Sequence, residues 1–155
     1  MKSEFRVRPA LPNDTSFIYE ALKVMVMEQK LTERFALSEE ALREALFGKK
    51  PFAEVLIALH EDLPIGFVLF SMTNRNFTIF NGPGIYVHDL YVIHDFRRRK
   101  IGTKLFNEIK KIAQERQCDR IDWVVLKHNH SAVHFYKKAT DAQEVDYINY
   151  LRIKI

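Results

Sequence analysis

The seven residues Arg97-Arg98-Arg99-Lys100-Ile101-Gly102-Thr103 are the stretch of this chain most suggestive of chemistry. They open an apolar-periodic segment that reads as a helix. The first turn of a helix presents N–H groups without intrahelical partners, at the positive end of its dipole. A glycine there lets an anion approach the backbone closely, so the combination has the composition of a phosphate site. The same tetrapeptide of cations explains the net charge: 24 Lys and Arg stand against 20 Asp and Glu, for +4, and outside Arg97–Lys100 the charges balance. A nucleic-acid binder would spread its cations along a face or groove, whereas one local cluster suits a single compact anion such as a phosphorylated cofactor. A Walker loop is excluded, because its two glycines and its Lys-Ser/Thr pair are missing. The competing reading is a solvated basic helix start. A second cluster, His128, His130 and His134, has two histidines four apart on a helix face. No Glu completes an HExxH pattern and Cys118 is the single cysteine, so no metal is expected.

These groups need elements to hold them, and the chain has the material. At 155 residues and 47% hydrophobic it buries roughly two-thirds of its unfolded surface, enough for a core without staples. A lone cysteine gives no intramolecular disulfide. No apolar run approaches the roughly 20 residues that cross a bilayer. Met1–Arg8 lacks the apolar stretch of a signal peptide. The expectation is a cytoplasmic protein with no membrane partner.

Phe5-Arg6-Val7-Arg8 alternates up to Pro9 and reads as an opening strand; Phe17, Ala21, Leu22, Val24 and Met25 give a helical stripe through about Leu31. Ser38 caps a second helix that stops at Gly48. Ala53–His60 and Ile65–Thr73 read as a hairpin, Ile85–Ile93 as the next strand, and Ile101, Leu105, Ile109 and Ile112 as the stripe of a helix to about Gln117. Ile121–Leu126 reads as a short strand, Asn129 or Ser131 as the cap of a helix through Lys138, and Val145–Ile155 as a terminal strand. The fold class is therefore a mixed α/β sheet in one domain, residues 1–155, with a strand–basic turn–helix unit near its middle.

Tyr86-Val87-His88-Asp89-Leu90-Tyr91-Val92, followed by Phe96-Arg97-x-x-Lys100-Ile101-Gly102, resembles the acetyl-CoA-binding motif of the GNAT N-acetyltransferases, Gln/Arg-x-x-Gly-x-Gly/Ala after a strand. Trp123–Asn129 and Ala132–Lys138 resemble that family's next strand and its Asn-x6-Tyr helix. Phe80–Tyr86, Arg8-Pro9-Ala10 and Glu40–Gly48 resemble the diamine (spermidine/spermine-type) branch. The chain departs from the pattern at several places. Lys100 replaces the first glycine, His88 replaces a Glu, Glu28-Gln29 stands for Tyr-Glu, and Thr78 and Phe80 stand near acidic and Trp positions of polyamine-specific members.

The resemblance implies the GNAT fold, a central mixed sheet flanked by helices on both faces, a homodimer using C-terminal strands, and direct transfer of acetyl from the CoA thioester to an amine. It implies that acetyl-CoA is held by Leu90, Tyr91, Val92, Arg97, Arg98, Arg99, Lys100, Ile101, Gly102, Thr103, Asn129, Ser131 and Tyr136. The small-molecule amine falls to Glu28, Gln29, His88, Asp89 and Asp122. An alkylammonium has a pKa near 10, so a base or water relay helps, and His88 is better poised for this than a solvated carboxylate. Tyr136 would protonate the departing thiolate. Asp89 follows His88 directly, so on a regular strand it points to the opposite face unless a bulge redirects it. Three readings remain at this stage: an active small-amine N-acetyltransferase, a degenerate acyl-CoA binder, and a nucleic-acid module on Arg97–Lys100.

Overall fold

The structure is a computed structural model that describes residues 4–155; the first residues of the segment read for a leader, 1–3, lie outside it. Residues up to Val124 form one compact unit and those from Val125 a second.

The first unit is a five-stranded sheet, β1 (Phe5–Pro9), β2 (Glu54–His60), β3 (Leu63–Thr73), β4 (Gly84–Val92) and β5 (Arg120–Trp123), in sequential order. Neighbours are antiparallel except the parallel β4–β5 pair, which is joined by a crossover helix. That helix is α3 (Ile101–Glu115); α1 (Thr15–Glu28) and α2 (Glu39–Phe47) precede β2.

Strand alternation sorts the core. Val55, Ile57 and Leu59 of β2, Phe67 of β3 and Tyr91 of β4 pack with Ile18, Ala21, Leu22 and Met25 of α1 and with Leu42 and Leu46 of α2. The alternate residues, among them Leu56, Val68, Phe70, Ile85 and Val87, are buried on the other face. There the apolar stripe of α3 packs, Phe106 standing edge-on to Trp123 with centroids 5.1 Å apart. The helix starts follow local chemistry. Ser38 Oγ accepts the Ala41 N–H at 3.1 Å, and buried Asp14 accepts the Leu11 N–H and a forked pair of bonds from Arg8 at 2.7 and 3.1 Å.

Several boundaries differ from expectation for identifiable reasons. Helix α1 stops at Glu28 rather than near Leu31 because Lys30 turns left-handed (φ 59°). The Leu31 and Lys30 N–H groups then bond back to the Val26 and Met27 carbonyls, a Schellman cap. Strand β5 ends at Trp123, three residues short of Leu126.

The second unit contains α4 (His130–Ala139), capped by Asn129, whose Oδ1 accepts the Ala132 N–H at 3.1 Å. The terminal strand over Val145–Ile155 does not form: these residues carry no strand pairing, and Tyr147, Tyr150, Leu151, Ile153 and Ile155 are exposed. Alternation dictates which faces side chains would take. It supplies no partner edge, and a strand exists only where its backbone groups are paired.

Candidate functional site

The candidate site is organised by β4, whose pairing with β3 is interrupted. Leu69 pairs with Asp89 and Phe70 with Val87, which leaves His88 as an extra residue, a β-bulge. A regular strand would put His88 and Asp89 on opposite faces. The bulge brings both to the face that α1 and α2 cover further along. Asp89 shares that face with its partner Leu69. The His88 ring stands 2.8 Å through Nε2 from Ser71 Oγ and T-shaped to the Tyr86 ring at 4.9 Å. The parity switch also explains why Val87 is buried toward α3 while Tyr91 joins the α1–α2 core.

That core reaches along the sheet only to Leu69 and Tyr91. Beyond them the same face continues as a polar strip of Ser71, Tyr86, His88 and Asp122, the last brought beside Tyr86 by parallel pairing. Burial, and secondarily the charge of Arg75, hold the His88 imidazole below its ordinary 6.5. Burial raises the Asp89 carboxyl to about 6. At neutral pH the strip therefore offers a neutral imidazole next to a carboxylate.

The loop between β3 and β4 is fastened over this strip by a residue that sequence reasoning missed. The Arg120 side chain is 5% exposed. It donates to the carbonyls of Gly82 (2.9 Å) and Arg75 (2.6 Å) and to Asp119 Oδ1 (2.8 Å), and lies 4.4 Å over the Phe80 ring. Asp122 Oδ2 stands 3.7 Å from its Nε. Gly84 makes room for it, since a Cβ there would come 2.8 Å from the Arg120 Cγ. Arg75, also unassigned from sequence, carries its guanidinium 5.0 Å over the Tyr86 ring. An arginine in a short strand was visible; its partners, about 40 residues away in the chain, were not.

At the other end of β4 the basic turn runs into the start of α3. Arg98 (φ 63°) and Lys100 (φ 62°) are both left-handed. Lys100 therefore occupies, with a side chain, the conformation that favours the glycine it replaces, at a cost of about 1–2 kcal/mol. A left-handed residue followed by the right-handed start of α3 converges successive N–H groups into an anion-binding concavity. Lys104 makes the first intrahelical bond, back to the Lys100 carbonyl at 3.0 Å, so the N–H groups of Ile101, Gly102 and Thr103 face out of the helix end. Ile101 is buried and anchors the turn; Arg98, Arg99 and Lys100 are exposed.

Arg97 is occupied differently. Its Nε donates to the Val92 carbonyl at 2.8 Å, its guanidinium grips both carboxylate oxygens of Glu28 at 2.8 and 3.1 Å, and it lies 5.3 Å over the Tyr91 ring. Tyr91 also donates to Glu28, at 3.4 Å. Glu28, expected at the amine, and Arg97, expected at the cofactor, thus clamp each other where α1 ends and β4 ends, with Gln29 as the half-buried cap residue beside them. Between the two ends, β5 pairs with β4 only from Gly84 to Val87, so Leu90, Tyr91 and Val92 lie past the last paired residue on that edge. In the second unit, Asn129 and Ser131 lie at the start of α4, Ser131 exposed. Tyr136 is half-buried, edge-on to Phe135 at 5.1 Å, with its carbonyl accepting from Thr140.

Residues 17–140 match the acetyltransferase (GNAT) family. Thialysine N-epsilon-acetyltransferase of Mus musculus is 31% identical over 140 residues, which cover 85% of this chain and 81% of that protein. L-ornithine N5-acetyltransferase of Arabidopsis thaliana is 26% identical over 178 residues, covering 86% and 77%. A solved aminoglycoside N-acetyltransferase in complex with CoA superposes with a TM-score of 0.78 at 14% identity, covering 100% of this chain and 98% of that one.

Proposed function

We propose, on the premise that the chain belongs to the acetyltransferase (GNAT) family, that it moves an acetyl group from acetyl-CoA to the primary amine of a small molecule such as a diamine, a polyamine or a diamino acid. The observation that carries the reading is the double role of β4: its bulge gathers His88 and Asp89 on one face, and its end feeds a left-handed cationic turn.

The chain's own residues fit such a donor. The N–H groups from Arg98 to Thr103, with the exposed cations of Arg98, Arg99 and Lys100, suit a pyrophosphate. The edge of β4 from Leu90 to Val92 suits the amides of an extended arm, as a strand edge suits a peptide. Asn129 and Ser131 complete the cofactor set in this reading. Acetyl-CoA, when bound, supplies a thioester acyl group activated toward amines. Arg97 and Glu28 act by fixing the end of β4 against α1.

The Asp89 carboxylate attracts the cationic amine to the face where His88 waits, and Asp122 adds to the negative field of that strip. His88 Nε2, neutral at pH 7, takes the proton that the ammonium must lose, directly or through one water. Tyr136 is assigned the return of a proton to the departing sulfur, since a phenol of pKa about 10 can protonate a nascent thiolate. The exposed apolar alternation of residues 145–155 supports a homodimer in which a partner supplies the missing edge. Among the described residues no helix is long and apolar enough to cross a membrane. Release of free CoA thiol from acetyl-CoA, measured across diamines, polyamines and diamino acids, tests the reading; no release above background with any amine would overturn it.

A further inference from the structure

We infer that Arg120 is a positioning residue for the acceptor amine: it latches both ends of the loop between β3 and β4, and so holds that wall of the polar strip in place before the amine arrives. The inference rests on the amine-acetyltransferase reading above and adds a residue to its machinery. The loop from Asn74 to Pro83 has little apolar anchorage of its own, since Phe77 is 66% and Ile79 63% exposed. The N–H groups of those two residues bond back to the Asn74 and Asn76 carbonyls, which shapes turns without tying the loop to the sheet. Arg120 supplies the tie. It stands opposite Gly84 in the parallel register of β4 and β5. Its Nη2 donates to the Arg75 carbonyl at the start of the loop and its Nη1 to the Gly82 carbonyl at the end, with the Phe80 ring against the same guanidinium.

The latch explains an arrangement that stability alone would not favour. The Arg120 Nε is buried without a hydrogen-bond partner, and Asp122 Oδ2, at 3.7 Å, balances its charge without making the bond. Burying a charge with one donor unpaired disfavours folding relative to an apolar side chain of the same volume. The counter-ion belongs to the same device: Asp119 accepts from Arg120 through Oδ1 and from the Gly82 N–H through Oδ2, at 3.0 Å. A planar fork can bridge two loop carbonyls and a carboxylate at once, which an apolar residue or the point charge of a lysine cannot do. The start of the loop is in turn coupled to the strip. The Arg75 guanidinium lies on the Tyr86 ring, and that ring touches His88. A wall ordered in advance spares the amine the cost of ordering it on binding. The basic turn follows the opposite end of β4, away from the latch.

The test measures KM and kcat for the best amine among 1,4-diaminobutane, spermidine and L-ornithine, the Kd of acetyl-CoA by calorimetry, and amide hydrogen exchange over residues 74–82. The variants are Arg120→Lys, Arg120→Ala, Gly84→Ala and the last two combined. Arg120→Lys keeps the charge and loses the fork. Gly84→Ala keeps every partner and displaces the latch, because a Cβ there comes 2.8 Å from Arg120 Cγ, while Gly84 has no left-handed φ to strain. Arg120→Lys and Gly84→Ala are each expected to raise the amine KM about tenfold, the range of one charged hydrogen bond, with kcat within about twofold of the parent. The acetyl-CoA Kd should stay put and the loop should exchange faster. Gly84→Ala should add nothing to Arg120→Ala, since the atoms it strikes are gone. A fall in kcat at constant KM, equal losses of amine and acetyl-CoA binding, or full additivity in the double variant overturns the inference while leaving the acetyltransferase reading in place. If the Arg120 variants fail to fold, Gly84→Ala decides by the same KM criterion. No thiol release by the parent with any of these amines overturns both.

Discussion

Asp89 should cost the protein stability in return for its position beside His88, and the cost can be measured. Burial raises its carboxyl from 3.8 to about 6, so the folded state disfavours the carboxylate relative to the unfolded chain. The unfolded chain releases this proton first as pH rises from about 4 to 6, so folding stability falls across that window and stays reduced above it. At about 1.36 kcal/mol per pH unit the penalty is about 2–3 kcal/mol, the lower figure allowing for the part of the group that water reaches. Asp89→Asn keeps the shape and removes the charge. It should raise Tm by roughly 4–10 °C at pH 8 for a chain of this length, and by little at pH 3.5, where Asp89 is mostly protonated in both states. The assay is thermal unfolding of both proteins over that pH range, alongside thiol release. Catalytic efficiency should fall in the same variant, because the ammonium loses its attracting charge. An equal Tm difference at both pH values, or a less stable variant at pH 8, would refute the burial argument and with it the reading of Asp89 as a carboxylate held against its preference.

Lys100→Gly and Lys100→Ala separate backbone strain from charge. The glycine variant should unfold at a higher temperature than the alanine variant, since both lose the ammonium and only glycine relieves the left-handed φ. Both should bind acetyl-CoA more weakly by calorimetry, roughly tenfold or more, if the ammonium pairs with a phosphate; tighter binding by either would place the side chain as an obstruction. His88→Ala should lose kcat/KM most steeply toward low pH, where free amine is scarcest and the depressed imidazole still accepts a proton. A loss of constant size from pH 6 to 9 would make His88 structural. Tyr136→Phe should lower kcat by roughly 10²–10⁴-fold with little change in acetyl-CoA affinity, because a proton delivered to the leaving sulfur counts only in the transition state. Unchanged turnover would remove the acid role.

Local signals read correctly from the sequence were those whose physics is local. The stripe of Ile101, Leu105 and Ile109 is a consequence of 3.6-residue periodicity, and the cations before it fall at a helix start because side-chain entropy and solvation keep them out of the core. The order of motifs was enough to indicate the family. The terminal alternation of Val145–Ile155 misled, because alternation carries no information about an available edge. Tertiary structure alone decided that His88 and Asp89 share a face. The bulge exists only in the register between β3 and β4, and one inserted residue reverses every side chain after it. It alone decided that Arg97 and Glu28, 69 residues apart, grip each other. The same holds for Arg120, which reaches back to Gly82 and Arg75 and so sets the loop above the strip. A charged side chain takes whichever partner the packed backbone brings within about 3 Å, and that distance is a property of the fold rather than of spacing along the chain.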